Sequence, residues 1–205
     1  MKWWQILMAV IVIAMLINEI ITYIYGKKYS NKLVELVMKG KFDEFDNLVD
    51  KGFVRYCVRP FNLDYIKLNS YLIRNDENRI TAAFDNFKNK SLTQAQKVEV
   101  FTKAFNFYVF NEDKEQCDYY KEQINALKGY DSLKDETNRM YDILIEKKTD
   151  MLDELLEEMN QVEEKERGAY EYLIAEIYTN LGKKKEAKKY SELASKHLVG
   201  ITKPR

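Results

Sequence analysis

The chain has 205 residues, and its 33 Lys+Arg balance its 33 Asp+Glu to a formal net charge of zero. This balance argues against a general nucleic-acid-binding protein, because such a protein usually carries a basic excess on one face. Two Pro, seven Gly and 32% charged residues favour long helices over sheets or linkers. We therefore expect an all-α protein with room for one anchor and one domain of ordinary size.

An apolar segment from Trp3 to Tyr25 opens the chain. Its strongly polar residues are Gln5, Asn18, Glu19 and Thr22. A helix of this length rises roughly 34 Å, which is enough to cross a hydrocarbon core of about 30 Å. Trp3 and Trp4 at one end and Tyr23 and Tyr25 at the other resemble an interfacial aromatic belt. The sequence predicts a transmembrane anchor over residues 1–26, which binds the lipid bilayer.

Other interpretations of this segment stay open. Ile6 to Ile17 alone resembles the apolar region of a cleaved signal peptide, but no small-x-small cleavage site follows it. We therefore favour an uncleaved anchor. Asn18 and Glu19 are costly inside a bilayer. They indicate either a helix–helix contact with a partner or second copy, or a position near one interface.

Lysines on the two sides of the anchor predict its orientation. Lys27, Lys28 and Lys32 follow the apolar segment, whereas Lys2 and the α-amine precede it. By the positive-inside rule this small excess favours a C-terminal domain in the cytoplasm. We expect a single-pass protein of the cell membrane, and the short anchor without organelle signals favours a bacterial setting.

After the anchor, amphipathic helical segments break at intervals of about 35 residues. The breaks fall at Gly40, Asn75, Asn111, Lys147 and Gly182. The positions seven and four residues before each break, and five after it, are apolar or aromatic in every case except Gln116. Such self-similarity predicts an α-solenoid of about five helical hairpins, which stack because one hairpin alone cannot bury its apolar face.

The last hairpin carries a family resemblance. Its small, aromatic and turn residues are Ala175, Tyr178, Gly182, Ala187 and Ala194. This pattern resembles the tetratricopeptide (TPR) repeat, although Glu171 stands where that family often has a bulky residue. The other four repeats share its register and are TPR-like. The resemblance implies a TPR-like helical repeat domain over residues 27–199, followed by a C-terminal tail over residues 200–205.

In TPR arrays the first helices of the hairpins line a groove that holds a peptide or a partner helix. Mapped by register, the partner-binding groove is expected to present Tyr65, Asn69, Phe101, Phe105, Tyr108, Tyr141, Tyr172 and Glu176. The set is aromatic and lacks the Lys and Arg that some TPR domains use to bind a terminal carboxylate. The resemblance therefore implies an apolar peptide or helix as partner. The alternative is that these rings pack between hairpins.

Local signals predict where several helices begin. The first helix is expected to continue from the span, with Gly26 as a weak point. Phe53 to Arg59 is expected to be extended before a helix that Pro60 begins. Asp76 puts a negative charge at a helix start, and Thr149 is expected to be an N-cap.

The remaining residues offer little chemistry. The acidic block over residues 150–166 and the lysines over 183–189 suit solvated faces, or pairing of the one with the other across two chains. The lysines alone also suit contact with anionic lipid headgroups. His197 is the single histidine, and contact with the last carbonyls of its helix is a sufficient role. Cys57 and Cys117 lack zinc-type spacing and are expected to be free thiols, with a disulfide across hairpins as the alternative. We expect no enzyme activity, no metal and no cofactor.

The sequence thus predicts a membrane-anchored scaffold or adaptor that binds a protein or peptide partner through a TPR-like groove. No nucleic-acid partner is expected. Two alternatives stay open. One is a chaperone-like export or assembly factor on the outer side of the membrane, which would hold apolar segments of many clients. The other is a homo-oligomeric structural spacer, in which Glu19 and the opposite charge blocks join copies of the chain.

Overall fold

The computed structural model describes residues 3–198, and the chain is 82% helical, without strands in that range. The all-α prediction is confirmed. The chain forms two compact units, divided between Lys90 and Ser91. The domain expected over residues 27–199 therefore contains this division. The tail over residues 200–205 lies outside the described residues.

Over residues 3–90, the first unit consists of five helices. They are α1 (Trp3–Met38), α2 (Phe42–Val49), α3 (Gly52–Cys57), α4 (Pro60–Arg74) and α5 (Glu77–Lys88). A hydrophobic core joins the last turns of α1 to α2, α3 and the start of α4. It contains Leu33, Leu36, Val37, Phe45, Val49, Val54, Val58, Leu63 and Ile66. Only the C-terminal part of α1 contributes to this core, since its buried residues begin at Gly26.

The first helix continues from the span as expected, since α1 runs through Gly26 for 36 residues in all. A Cβ at Gly26 would lie under 3.0 Å from the Cys57 carbonyl oxygen and 3.3 Å from its carbonyl carbon, so glycine permits a close approach of α3. The expectation of an extended segment before Pro60 is wrong, because the chain is helical over Gly52–Cys57. A helix places Val54 and Cys57, three residues apart, on the same buried face.

The second unit consists of six α-helices and one 3₁₀ turn in the described range. They are α6 (Gln94–Phe110), α7 (Lys114–Asn125), α8 (Asp131–Leu144), α9 (Leu152–Gln161), the turn Glu164–Glu166, α10 (Gly168–Asn180) and α11 (Lys184–His197). Helix α7 packs on α6 and α8, α10 packs on α9 and α11, and α8 also contacts both α6 and α10. The largest fully buried side chains of the second unit are Phe105, Tyr120, Ile124, Ile143, Leu155 and Ile174.

All five expected breaks fall between helices. Each carries one residue with positive φ: Gly40 (66°), Asn75 (54°), Glu112 (54°), Lys147 (56°) and Gly182 (70°). At the third break the left-handed residue is Glu112, one position after Asn111. A residue in this conformation ends a helix and turns the chain. The periodic pattern in the sequence therefore marks a turn that recurs in the backbone.

Side-chain caps follow the sequence only in part. Asp76 caps α5, since its carboxylate accepts from the Arg79 amide at 3.2 Å. The N-cap expected at Thr149 is wrong, because the turn after Lys147 extends further and α9 begins at Leu152. In addition, Thr93 and Gln96 form a reciprocal capping box at the start of α6.

Candidate functional site

The first part of α1 is apolar and exposed. The large hydrophobic side chains recorded as exposed between Trp3 and Tyr25 have 38–76% of their surface accessible. The most apolar 18-residue stretch of this helix has no residue buried against the rest of the structure. By length and composition α1 is able to cross a membrane, near the N-terminus as the sequence predicted.

Where this apolar segment ends, α3 and the start of α4 lie against α1 and leave a groove. We call it the junction groove; its volume is about 740 Å³. Its lining includes Glu19, Thr22, Tyr23, Lys27 and Ser30 from α1, and Arg55, Tyr56, Arg59 and Asn62 from the α3–α4 segment. The floor is the close contact of Gly26 with the end of α3.

A hydrogen bond joins the groove to the polar residues of the span. The Tyr56 hydroxyl donates to Asn18 Oδ1 at 2.8 Å. Asn18 lies about 7.5 Å along the helix axis before Tyr23. The Asn18 amide, which is costly to bury in a bilayer, therefore has a hydrogen-bond partner within its own chain. This partner lowers the free-energy cost of placing Asn18 near a membrane interface.

Aromatic side chains hold α3 on α1. The Phe53 ring packs edge-on against Tyr25 at 5.6 Å and against Tyr29 at 6.1 Å between centroids. Such edge-to-face pairs contribute roughly 0.5–1.5 kcal/mol each beyond the area they bury. Phe53 nevertheless remains 49% exposed, and Tyr56 beside it is 60% exposed. The outer face of α3 is therefore aromatic.

The cations of the junction groove have no carboxylate partner. Within residues 3–198, no carboxylate lies within 4.0 Å of Lys27, Arg55 or Arg59. The other arginines in that range form ion pairs or donate to a backbone carbonyl. With Glu19 as the single carboxylate in its lining, the groove carries a net positive charge. The sequence reasoning missed these residues, although Arg55 and Arg59 flank an aromatic residue.

The eight expected partner-binding residues are divided between the units. Tyr65 and Asn69 lie on α4 and are half-buried, and the other six lie on α6, α8 and α10. Four of those six are at most 5% exposed: Phe101, Phe105, Tyr108 and Tyr141. Tyr172 and Glu176 are half-buried. The four buried rings offer little surface to a partner.

The buried rings have packing partners of their own. Phe101 and Tyr108 lie 5.8 Å and 5.7 Å from the Tyr120 ring, which is fully buried. Tyr172 packs edge-on against Phe110 at 5.7 Å, and its pKa is raised by burial and by the neighbouring Glu176 carboxylate. The contacts of Phe101 and Tyr108 join α6 to α7, the two helices of one hairpin, whereas the alternative expected the rings to pack between hairpins.

Tyr141 belongs to a polar cluster instead of a groove. Its hydroxyl donates to Asp118 and accepts from the Lys114 ammonium at 2.5 Å, and Lys114 also donates to Glu146 at 2.5 Å. Burial and the Asp118 carboxylate raise the pKa of Tyr141 to about 12, so the hydroxyl keeps its proton at neutral pH. These residues come from α7, α8 and the turn after α8, which sequence spacing alone does not bring together.

His197 contacts carboxylates outside its own helix, which the sequence did not predict. Its Nδ1 lies 2.7 Å from the Glu171 carboxylate, which is 3% exposed, and its Nε2 lies 3.6 Å from Glu164. A buried carboxylate requires such a partner. The pair ties the end of α11 to the start of α10, where the Leu198 side chain also packs on Gly168.

Cys57 and Cys117 are free and buried. The Cys117 thiol has its pKa raised to about 12 by burial and by the Asp113 and Asp118 carboxylates.

No protein-family model, curated protein or solved structure matches this chain. Within residues 3–198 the fold is all-α, and one helix in that range is long and apolar enough to cross a membrane. The TPR-like assignment stays a prediction from the repeat pattern.

Proposed function

We propose that this chain is a single-pass protein of the cell membrane whose helical domain binds a protein partner and holds it at the membrane. The observation that carries the proposal is the continuity of α1. One end of this helix is apolar and exposed, and the other end forms part of the core of the first unit. Because no flexible linker separates the two parts, the anchor fixes the first unit relative to the bilayer.

The contacts of α1 support an anchor that is retained. The bond from Tyr56 to Asn18 and the packing of Phe53 on Tyr25 both use residues of the apolar segment or its end. Cleavage of a signal peptide after this segment would remove these partners of α3. We therefore favour the anchor over a cleaved signal peptide, with the helical domain in the cytoplasm as the flanking lysines predict.

The recurrent turns support a TPR-like partner-binding domain. Left-handed residues recur at each sequence break, and α8 contacts both α6 and α10, the first helices of neighbouring repeats. We propose that an apolar peptide or helix of the partner contacts the second unit at Tyr172 and Glu176, the expected residues there that keep accessible surface. Tyr65 and Asn69 also keep accessible surface, but they lie on the first unit and are a separate candidate contact.

Site-specific photocrosslinking in cells tests this proposal. A photoreactive amino acid replaces Tyr172, and a matched control replaces Lys185, which is exposed on α11. We expect a discrete adduct with one partner at Tyr172 and none at Lys185. An adduct with twice the mass of the chain would favour the homo-oligomeric spacer instead.

Protease protection of a C-terminal tag in sealed right-side-out cells tests the orientation. The proposal expects a protected tag. Digestion of the tag from outside, together with many different adducts at Tyr172, would favour the chaperone-like export factor.

A further inference from the structure

We propose that the junction groove binds the headgroup phosphate of an anionic phospholipid, through Lys27, Arg55 and Arg59. The proposal rests on the membrane anchoring put forward above. It goes further by giving the first unit a specific lipid ligand and by assigning α3 to the membrane interface. Depth, charge and the exposed rings of α3 each support it.

The depth of the groove follows from the length of the span. A helix crosses the hydrocarbon core in about 20 residues. Counted from Trp3 and Trp4, which suit one interface, the other interface falls near Tyr23. The α1 wall of the groove runs from Glu19 to Ser30. The groove therefore opens at the level where phospholipid headgroups lie.

The charge of the groove suits an anion. Lys27, Arg55 and Arg59 have no carboxylate partner within residues 3–198, whereas each of the other arginines in that range forms an ion pair or donates to a backbone carbonyl. A phosphate supplies oxygen acceptors that a guanidinium binds with two parallel hydrogen bonds. A zwitterionic lipid brings its own cation into this positive groove. An anionic headgroup does not, and is therefore preferred.

The exposed aromatic residues distinguish this groove from an ordinary solvated basic surface. Phe53, Tyr56 and Tyr23 are 49%, 60% and 68% exposed beside the cations. Rings with this exposure are typical of the interfacial zone, where the ring contacts acyl chains and the hydroxyl contacts polar groups. The Tyr56 hydroxyl already reaches Asn18, on the membrane side of the groove.

The groove is also held in place before any lipid binds. The Gly26–Cys57 approach and the two edge-on contacts of Phe53 fix α3 on α1. A site whose side chains sit on packed helices loses less conformational entropy on binding than a flexible basic tail does. This supports the binding of a defined lipid over a diffuse attraction to negative charge.

Lipid retention by the full chain tests the proposal. The protein is reconstituted into vesicles of equal parts phosphatidylglycerol and phosphatidylcholine, floated, extracted gently and analysed by native mass spectrometry. We expect the wild type to retain phosphatidylglycerol in preference to phosphatidylcholine. Each cation near an anionic surface favours binding by about five-fold. Arg55→Gln combined with Arg59→Gln should therefore lower the ratio of the two retained lipids by about 25-fold.

A charge-matched control separates the site from general electrostatics. Lys39→Gln combined with Lys41→Gln removes the same charge from the region just beyond the end of α1 and should leave the ratio unchanged. Equal retention of the two lipids by the wild type would overturn the proposal without reference to any variant. An unchanged ratio of retained lipids in the arginine variant would also overturn the proposal. If the protein floats with the vesicles in these two cases, the proposed membrane anchor still stands. A wild type that does not float with the vesicles would overturn the anchor as well.

Discussion

Replacing Gly26 with alanine perturbs the contact that joins the anchor helix to α3. The new methyl group would meet the Cys57 carbonyl and the Val58 Cα, which are backbone atoms. Backbone atoms cannot rotate away as the end of a flexible side chain can. The α1–α3 contact must therefore separate to accept the methyl group.

The size of the effect follows from two opposing contributions. Forcing an extra methyl group into a closely packed contact costs roughly 1–3 kcal/mol, and because the atoms met here are backbone atoms we take the upper part of that range, roughly 2–3 kcal/mol. Alanine in place of glycine within a helix recovers roughly 1 kcal/mol of helix propensity. We expect Gly26→Ala to lower the free energy of opening between α1 and α3 by roughly 1–2 kcal/mol, which makes opening about 5–30 times more frequent.

The buried thiols report this opening directly. Cys57 is 6% exposed beside Gly26, and Cys117 in the second unit is fully buried. In the full chain in lipid nanodiscs, Gly26→Ala should raise the rate of maleimide modification of Cys57 by about ten-fold. The rate at Cys117 should stay the same. Gly52→Ala serves as control, because a Cβ at Gly52 meets no atom within 4 Å. Equal Cys57 rates in the wild type and Gly26→Ala would refute the reasoning.

Three further predictions concern buried and charged groups. His197→Ala should destabilise the second unit by roughly 3 kcal/mol, because it leaves the buried Glu171 carboxylate without its partner. His197→Gln should destabilise it less, because an amide can still donate to that carboxylate. Equal urea midpoints for the two variants would contradict this prediction. The Arg74 guanidinium lowers the pKa of the Asp46 carboxyl in the folded protein. The pair therefore stabilises the folded state fully at pH values above the ordinary pKa of an aspartate, and this stabilisation is lost as the pH falls through the lowered pKa. Arg74→Gln should therefore lose less stability than the wild type between pH 7 and pH 3, measured by urea unfolding, and parallel losses would argue against the pairing. Because the pKa of Cys117 is raised to about 12, its alkylation in the folded protein at pH 9 should be much slower than in urea, and similar rates would show that the thiol is accessible.

The turns between helices were predictable from the sequence because their signal is local and repeated. Gly40 and Gly182 favour the left-handed conformation, and the apolar positions recur around all five breaks. By contrast, α3 was not predictable. It is only six residues long and lies between Lys51 and Pro60, so its helical form depends on burial against α1.

The candidate site was harder to predict than the fold. Aromatic residues at helical spacing suit either a core or a groove, and the sequence alone did not indicate that Phe105 is buried while Tyr172 keeps accessible surface. The junction groove joins Lys27 to Arg55 and Arg59, which only the packing of α3 on α1 brings together. Its one local signal was the pair of arginines around Tyr56, in a segment expected to be extended.

The fluorescence of Trp3 and Trp4 gives the most direct test of the anchor, because they are the only tryptophans in the chain. The full chain is reconstituted into vesicles, and those with the domain facing outward are selected by protease removal of a C-terminal tag. If α1 crosses the bilayer, lipids brominated near the headgroup quench the emission, and iodide added outside does not. Strong quenching by external iodide would show that α1 does not cross the membrane, and would contradict the proposed anchor.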